Sequence, residues 1–161
     1  MMHASPTSPT SPARRPAHRP MHRPILTTVV SALLGVDAAA LLFAGIVHLV
    51  GVRLPLGAAV FVEPILVPAG IVEGLAGVVF VVALYATVLS RPWAWPMALA
   101  AHLFAITGFL VGLWATRNGT TPFNYSYHRV MLVVFVVGLL LLLTPAARAA
   151  LSFGSRPAHD G

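Results

Sequence analysis

The chain has 161 residues, of which 58% are hydrophobic and only 9% charged, far below the roughly 25% charged residues of a soluble domain. Its net charge of +6 comes from ten arginines, with no lysine, against four acids, and Arg14, Arg15, Arg19 and Arg23 crowd the first 24 positions. That distribution reads as membrane topology and attraction to a lipid surface. It gives no basis for nucleic-acid binding, since no basic helix face is interleaved with aromatics. The absence of cysteine excludes disulfides, thiolate nucleophiles and sulfur-ligated clusters.

Residues 1–24, which include SPTSPTSPARRPAHRP, carry too few apolar side chains to offset the entropy of ordering, and read as a disordered cytoplasmic tail. A first span follows over residues 25–50, with Asp37 as its one interior charge. At 1.5 Å per residue it exceeds a hydrocarbon core of about 30 Å, so tilt or interfacial ends are expected. Arg14 and Arg15 before an apolar run, and the small residues of Asp37-Ala38-Ala39-Ala40, also suit a signal peptide. The apolar run, however, continues well past that point and the leader would be unusually long.

Residues 51–57, with Arg53 and Pro55, read as a short connection to a second span over 58–89. Pro64 and Pro68 withhold backbone donors early in that span, which predicts a kink or a late helix start beside Glu63. Ala69, Gly70, Gly74, Ala76 and Gly77 surround Glu73 with small residues, the composition that lets membrane helices approach closely. Arg91, Trp93, Trp95 and Pro96 then form an interfacial turn into a third span over 93–116, which carries His102 and the small-xxx-small pair Gly108 and Gly112. Asn118-Gly119-Thr120 is formally a glycosylation acceptor and equally a turn. Phe123, Tyr125 and Tyr127 make a second aromatic belt, and His128 and Arg129 lie at the head of a fourth span over 125–144. Pro145 ends it, and residues 146–161 form a short C-terminal tail.

The sequence thus predicts an all-α membrane protein, a four-transmembrane-helix bundle with a disordered N-terminal tail, multi-pass in the cell membrane. With the N-terminus inside, Arg14, Arg15, Arg19, Arg23, Arg91, Arg148 and Arg156 fall on the cytoplasmic side, against Arg53, Arg117 and Arg129 on the other. Both termini are therefore expected in the cytoplasm.

A charge inside a bilayer costs on the order of 2.5–3.5 kcal/mol even on the lenient insertion scale, so each interior acid or histidine must be paired, neutralised or useful. Counting residues from the span ends places Asp37, Glu73 and His102 near the midplane, and His48, Glu63 and His128 nearer the external face. For the midplane group the expected pairing is Glu73 with His102, with Asp37 adjoining, either as interhelical adhesion or as a proton relay. For the outer group, two imidazoles and a carboxylate suit Zn, Cu or non-haem Fe, and His48 and His128 could alternatively serve as axial haem ligands. The bland alternatives are snorkelling histidines and a rim ion pair between Glu63 and Arg53 or Arg129. No HExxH, Walker loop or Gly-x-Ser-x-Gly elbow is present, so no catalytic residue is assigned.

The stretches PLGAAVFVEPILVPAGIVEGLAG and TRNGTTPFNYSYHRVML resemble those of small four-span bacterial integral membrane proteins of unassigned function, over about residues 25–145. DoxX-like proteins and haem-binding bundles resemble the chain in span number alone, which carries little weight. The resulting expectation is an accessory or structural membrane component with a polar, ligand-binding interior. The alternatives are a proton-linked or small-solute carrier and a metal- or haem-binding redox component. Its expected partners are the lipid bilayer and either a second copy of the chain or another membrane protein.

Overall fold

The computed structural model describes residues 22–57, 59–117 and 122–152. The disordered tail expected over most of residues 1–24, the Asn118-Gly119-Thr120 acceptor and the last part of the C-terminal tail lie outside the described residues. The elements are α1 (His22–Val50), β1 (Val52–Leu56), β2 (Ala59–Glu63), α2 (Val67–Val88), α3 (Ala94–Thr116), α4 (Pro122–Leu143) and α5 (Pro145–Leu151). Four helices contain stretches long and apolar enough to cross a membrane: Ile25–Val50, Val67–Val88, Ala94–Ala115 and Asn124–Leu143. The chain is therefore a predominantly helical membrane protein built on four long apolar helices. A helix is the form in which a spanning segment satisfies its own backbone groups without water.

The outward faces carry large apolar residues such as Val36, Phe43, Val137 and Leu140, which suits a lipid surround. Inside, Leu34, Leu41, Phe80, Phe109, Phe135 and Leu142 fill the bundle between runs of buried alanine. Sequential helices are neighbours, α1 on α2, α2 on α3 and α3 on α4, and α5 folds back beneath them against α1. Thr144 caps α5 by accepting from Ala147 N–H at 3.2 Å. At that end the Trp95 indole N–H donates to Leu142 O at 3.0 Å, and the Arg148 guanidinium lies 4.7 Å over the Trp95 ring.

Where sequence reading put a connection and the head of the second span, the chain forms a two-stranded antiparallel hairpin, and α2 starts at Val67. The reason is local. Gly51 leaves α1 with φ +68°, Gly57 turns the hairpin with φ +64°, and Val60, Phe61 and Val62 are β-branched or aromatic. Pro64 keeps Glu63 extended, and Pro68 is tolerated in the first turn of α2, where its missing N–H would have had no helical partner. The late helix start is thus what the two prolines impose. Strand alternation leaves Val60 and Val62 exposed and turns Phe61 and Glu63 toward the bundle. Leu66 N–H donates to His48 O at 2.7 Å, tying the base of the hairpin to the end of α1.

Candidate functional site: a buried carboxylate-imidazole chain

At the hairpin end, α1 and α2 cross with almost no side chain between them. A Cβ built on Gly45 would lie 2.8 Å from Gly74 N and 3.1 Å from Gly70 O, both backbone atoms. One turn beyond this crossing, His48 on α1 meets Glu73 on α2, Nδ1 to Oε2, at 2.6 Å. The other ring nitrogen, Nε2, lies 3.3 Å from Glu63 Oε1 on β2. Asn124 on α4 completes the chain, donating through Nδ2 to Glu63 Oε1 at 3.0 Å, with the same nitrogen 3.5 Å from His48 Nε2. Four elements therefore converge on one imidazole. His48, Glu63, Glu73 and Asn124 are 3%, 2%, 3% and 2% exposed, so none relies on bulk water for its charge or polarity.

Glu73 thus pairs with His48, not with His102. The depth expected from sequence counted α2 from residue 58; starting at Val67, Glu73 is only the seventh residue of the helix, about 9 Å along its axis, level with the end of α1. His102 sits deeper, beside Phe80, with ring centroids 4.9 Å apart. There Asp37 Oδ2 stands 3.8 Å from His102 Nε2, and both groups are fully buried. The His102 Nδ1–H donates to Ala98 O at 2.9 Å, which leaves Nε2 of a neutral ring as an acceptor facing a carboxyl. One proton must then reside on that pair for the two atoms to attract. Neither Asp37 oxygen has a hydrogen-bond partner, nor does His102 Nε2. Leu41 and Ala44 on α1, and Ala76 and Phe80 on α2, separate this pair from the His48 chain.

His128 is near the outer group in depth but makes no contact with His48 or Glu63. Its Nδ1–H donates to Asn124 O at 2.9 Å, one turn back on its own helix, and its ring packs against Phe109 at 4.9 Å and Tyr127 at 5.6 Å. A Cβ on Gly112 would come within 2.5 Å of its Nε2, so the absent side chain of Gly112 is what makes room for this imidazole. The same device recurs deeper: Gly138 on α4 makes room for the His102 ring on α3. Gly112 and Gly108, the latter packed toward Val72, are thus used within the chain.

His48, Glu63 and His128 do not share a common point as metal ligands. Both nitrogens of His48 face carboxylates on opposite edges of the ring, which also leaves neither for an axial bond to haem. Among the described residues no three His, Asp or Glu side chains are arranged to hold a metal ion. Glu63 is engaged by His48 and Asn124, and the arginines offered as its partners lie elsewhere: Arg129 lies 5.7 Å over the Tyr125 ring and Arg53 is exposed on β1.

Sequence reading missed Asn124, which it left in a loop, although its place four residues before His128 puts both on one helical face. It also missed Gly45, whose spacing of three residues before His48 mirrors that of Gly70 before Glu73. Beside the chain of polar groups, a cavity of about 290 Å³ opens between α2 and α3, walled in part by Glu73, Phe109 and His128. Comparison of the chain with protein-family models, curated proteins and solved structures finds no match.

Proposed function

We propose that the protein is an accessory component of the cell membrane, both termini cytoplasmic, whose external half binds a ligand at the Glu73–His48–Glu63 chain. The observation that carries this reading is His48, held at both ring nitrogens by carboxylates from two different elements. Adhesion between α1 and α2 needs one such contact, and the Gly45 crossing already supplies close packing. A second buried acid on the same ring adds a desolvation cost of several kcal/mol that a purely structural pair would avoid. Glu73 also keeps one oxygen, Oε1, without a hydrogen-bond partner at 3% exposure, an arrangement that favours a site over a scaffold. The arginine asymmetry supports the orientation, and the accessory role is the reading left by a sequence without HExxH, Walker or Gly-x-Ser-x-Gly motifs and by the absence of a complete catalytic set among the described residues.

The test is reaction with a lipid-soluble carbodiimide, which attacks carboxyl groups reachable from an apolar phase, followed by mass spectrometry of the reconstituted protein. Labelling of Glu73 is expected. A chain in which neither Glu63 nor Glu73 reacts, while Glu73→Gln only loosens the bundle, would mark the cluster as structural.

A proton-linked carrier is the second reading, favoured by the Asp37–His102 pair, which requires a proton between two atoms with no other partner. On that reading Asp37→Asn abolishes pH-driven uptake in proteoliposomes without unfolding the protein. Uptake equal to the parent's would remove it.

A further inference from the structure

The cavity between α2 and α3 defines the ligand more narrowly. We infer that it binds a lipophilic amine in its protonated form, admitted sideways from the bilayer, with the ammonium N–H directed at Glu73 and His128. This rests on the ligand-binding reading above and adds the chemical class of the ligand and its route.

The cavity holds about 290 Å³, room for a small ring system, and its walls are apolar apart from three side chains, Glu73, Thr107 and His128. All three offer only acceptors. Glu73 Oε2 is taken by His48 and Oε1 has no partner. His128 Nδ1–H is committed to Asn124 O, so Nε2 is the ring atom left to accept from a ligand. Thr107 donates its hydroxyl hydrogen to Leu103 O at 2.9 Å. A ligand head that only accepts hydrogen bonds has nothing here to meet, whereas a donor head meets two or three acceptors.

Charge selects among donors. Glu63 and Glu73 bracket a single imidazole, so two carboxyl groups share the one basic side chain within reach of both. Of the arginines at this end, Arg117 lies 5.3 Å over the Trp114 ring, Arg129 is over Tyr125, and Arg53 is exposed on the hairpin. None lines the cavity. Two carboxyl groups against one imidazole, behind apolar walls, suit a cation whose body is apolar. The route follows from the rim: Val72, Phe104 and Val111 line the cavity and are 41%, 42% and 59% exposed on the face turned to lipid.

The probe is N,N-dimethyl-1-naphthylmethylamine, which is protonated at neutral pH and does not itself acylate, with 1-isobutylnaphthalene as its uncharged isostere. In nanodiscs the amine should slow carbodiimide labelling of Glu73 at least tenfold, and the isostere less than twofold. Naphthyl fluorescence should report at least tenfold weaker amine binding for Glu73→Gln and for each of Val72→Trp and Val111→Trp, which fill the cavity from its exposed rim with the thermal transition retained. Equal protection by the isostere, or unaltered binding in both tryptophan variants, overturns the inference. Labelling of Glu73 that the amine does not slow overturns the ligand class and leaves the broader reading standing. Absence of labelling removes the broader reading itself.

Discussion

Gly45 and Gly74 face one another across the α1–α2 crossing, yet adding a methyl group to each should have opposite results. On Gly45 the new Cβ would sit 2.8 Å from Gly74 N and 3.1 Å from both Gly70 O and Gly74 Cα. These are backbone atoms that cannot rotate aside, and ordinary contact begins near 3.4 Å, so the two helices must part by about half an ångström. Overpacking of this kind costs about 1–3 kcal/mol. On Gly74 the new Cβ meets nothing within 4 Å, so Gly74→Ala only gains helix propensity, up to about 1 kcal/mol. Unfolding in bicelles, followed by the fluorescence of Trp93, Trp95 and Trp114, should therefore rank Gly74→Ala at or above the parent and Gly45→Ala clearly below it. Parting the helices also stretches the 2.6 Å link between His48 and Glu73, so Gly45→Ala should alter carbodiimide labelling of Glu73 whereas Gly74→Ala should not. Equal stability of the two variants would refute the close crossing and the account of why His48 and Glu73 meet.

His48→Phe takes away the ring partner of the buried Glu73 and one partner of Glu63 and should cost about 3–5 kcal/mol, part of which Glu73→Gln in the same chain restores; a double-mutant cycle in detergent measures the coupling, and simple additivity would contradict it. Asn124→Leu removes a 3.0 Å hydrogen bond to Glu63 and should destabilise by about 1.5–3 kcal/mol, read from the same unfolding curves. Gly112→Ala and Gly138→Ala each drive a methyl group into a histidine ring and should each cost about 1–3 kcal/mol; paired with His128→Ala or His102→Ala respectively, most of that penalty should vanish. At the opposite end Trp95→Phe loses the indole bond to Leu142 O and should cost about 0.5–1.5 kcal/mol, with a blank result arguing that the Arg148 stack alone holds α5.

The helical ends of the bundle were legible because long apolar runs bounded by Arg, Trp and Pro have few other readings. So was the need to bury Asp37 and Glu73 away from lipid. The hairpin was not, since the run from Ala58 to Val62 is as apolar as a helix and too short for periodicity to separate it from a strand. That one boundary displaced Glu73 by about 13 Å in the depth count, and so exchanged its partner. Depth alone also grouped His128 with His48 and Glu63, whereas Asn124, one turn nearer the start of the same face of α4, reaches that cluster and the His128 ring packs on Phe109. Which turn of α4 meets the cluster is set by packing against neighbouring helices, which a count along the chain does not contain. Gly45 and Gly138 gave no local signal, because their value lies in the side chain opposite.

The two histidine-glycine contacts between α3 and α4 run in opposite senses, His102 into Gly138 and His128 into Gly112, and they are ten residues apart on both helices. They therefore test the same antiparallel register twice, at points about 15 Å apart. During insertion a helical hairpin made of Leu, Val and Ala has little to tell one alignment from another a turn away, since dispersion contacts with lipid or with a shifted partner are similar. In this pair a slip of one turn would set His102 against Val134 or Leu142, so that at most one of the two imidazoles finds a glycine. The paired glycines thus mark the α3–α4 register at two points, and only the observed alignment seats both rings.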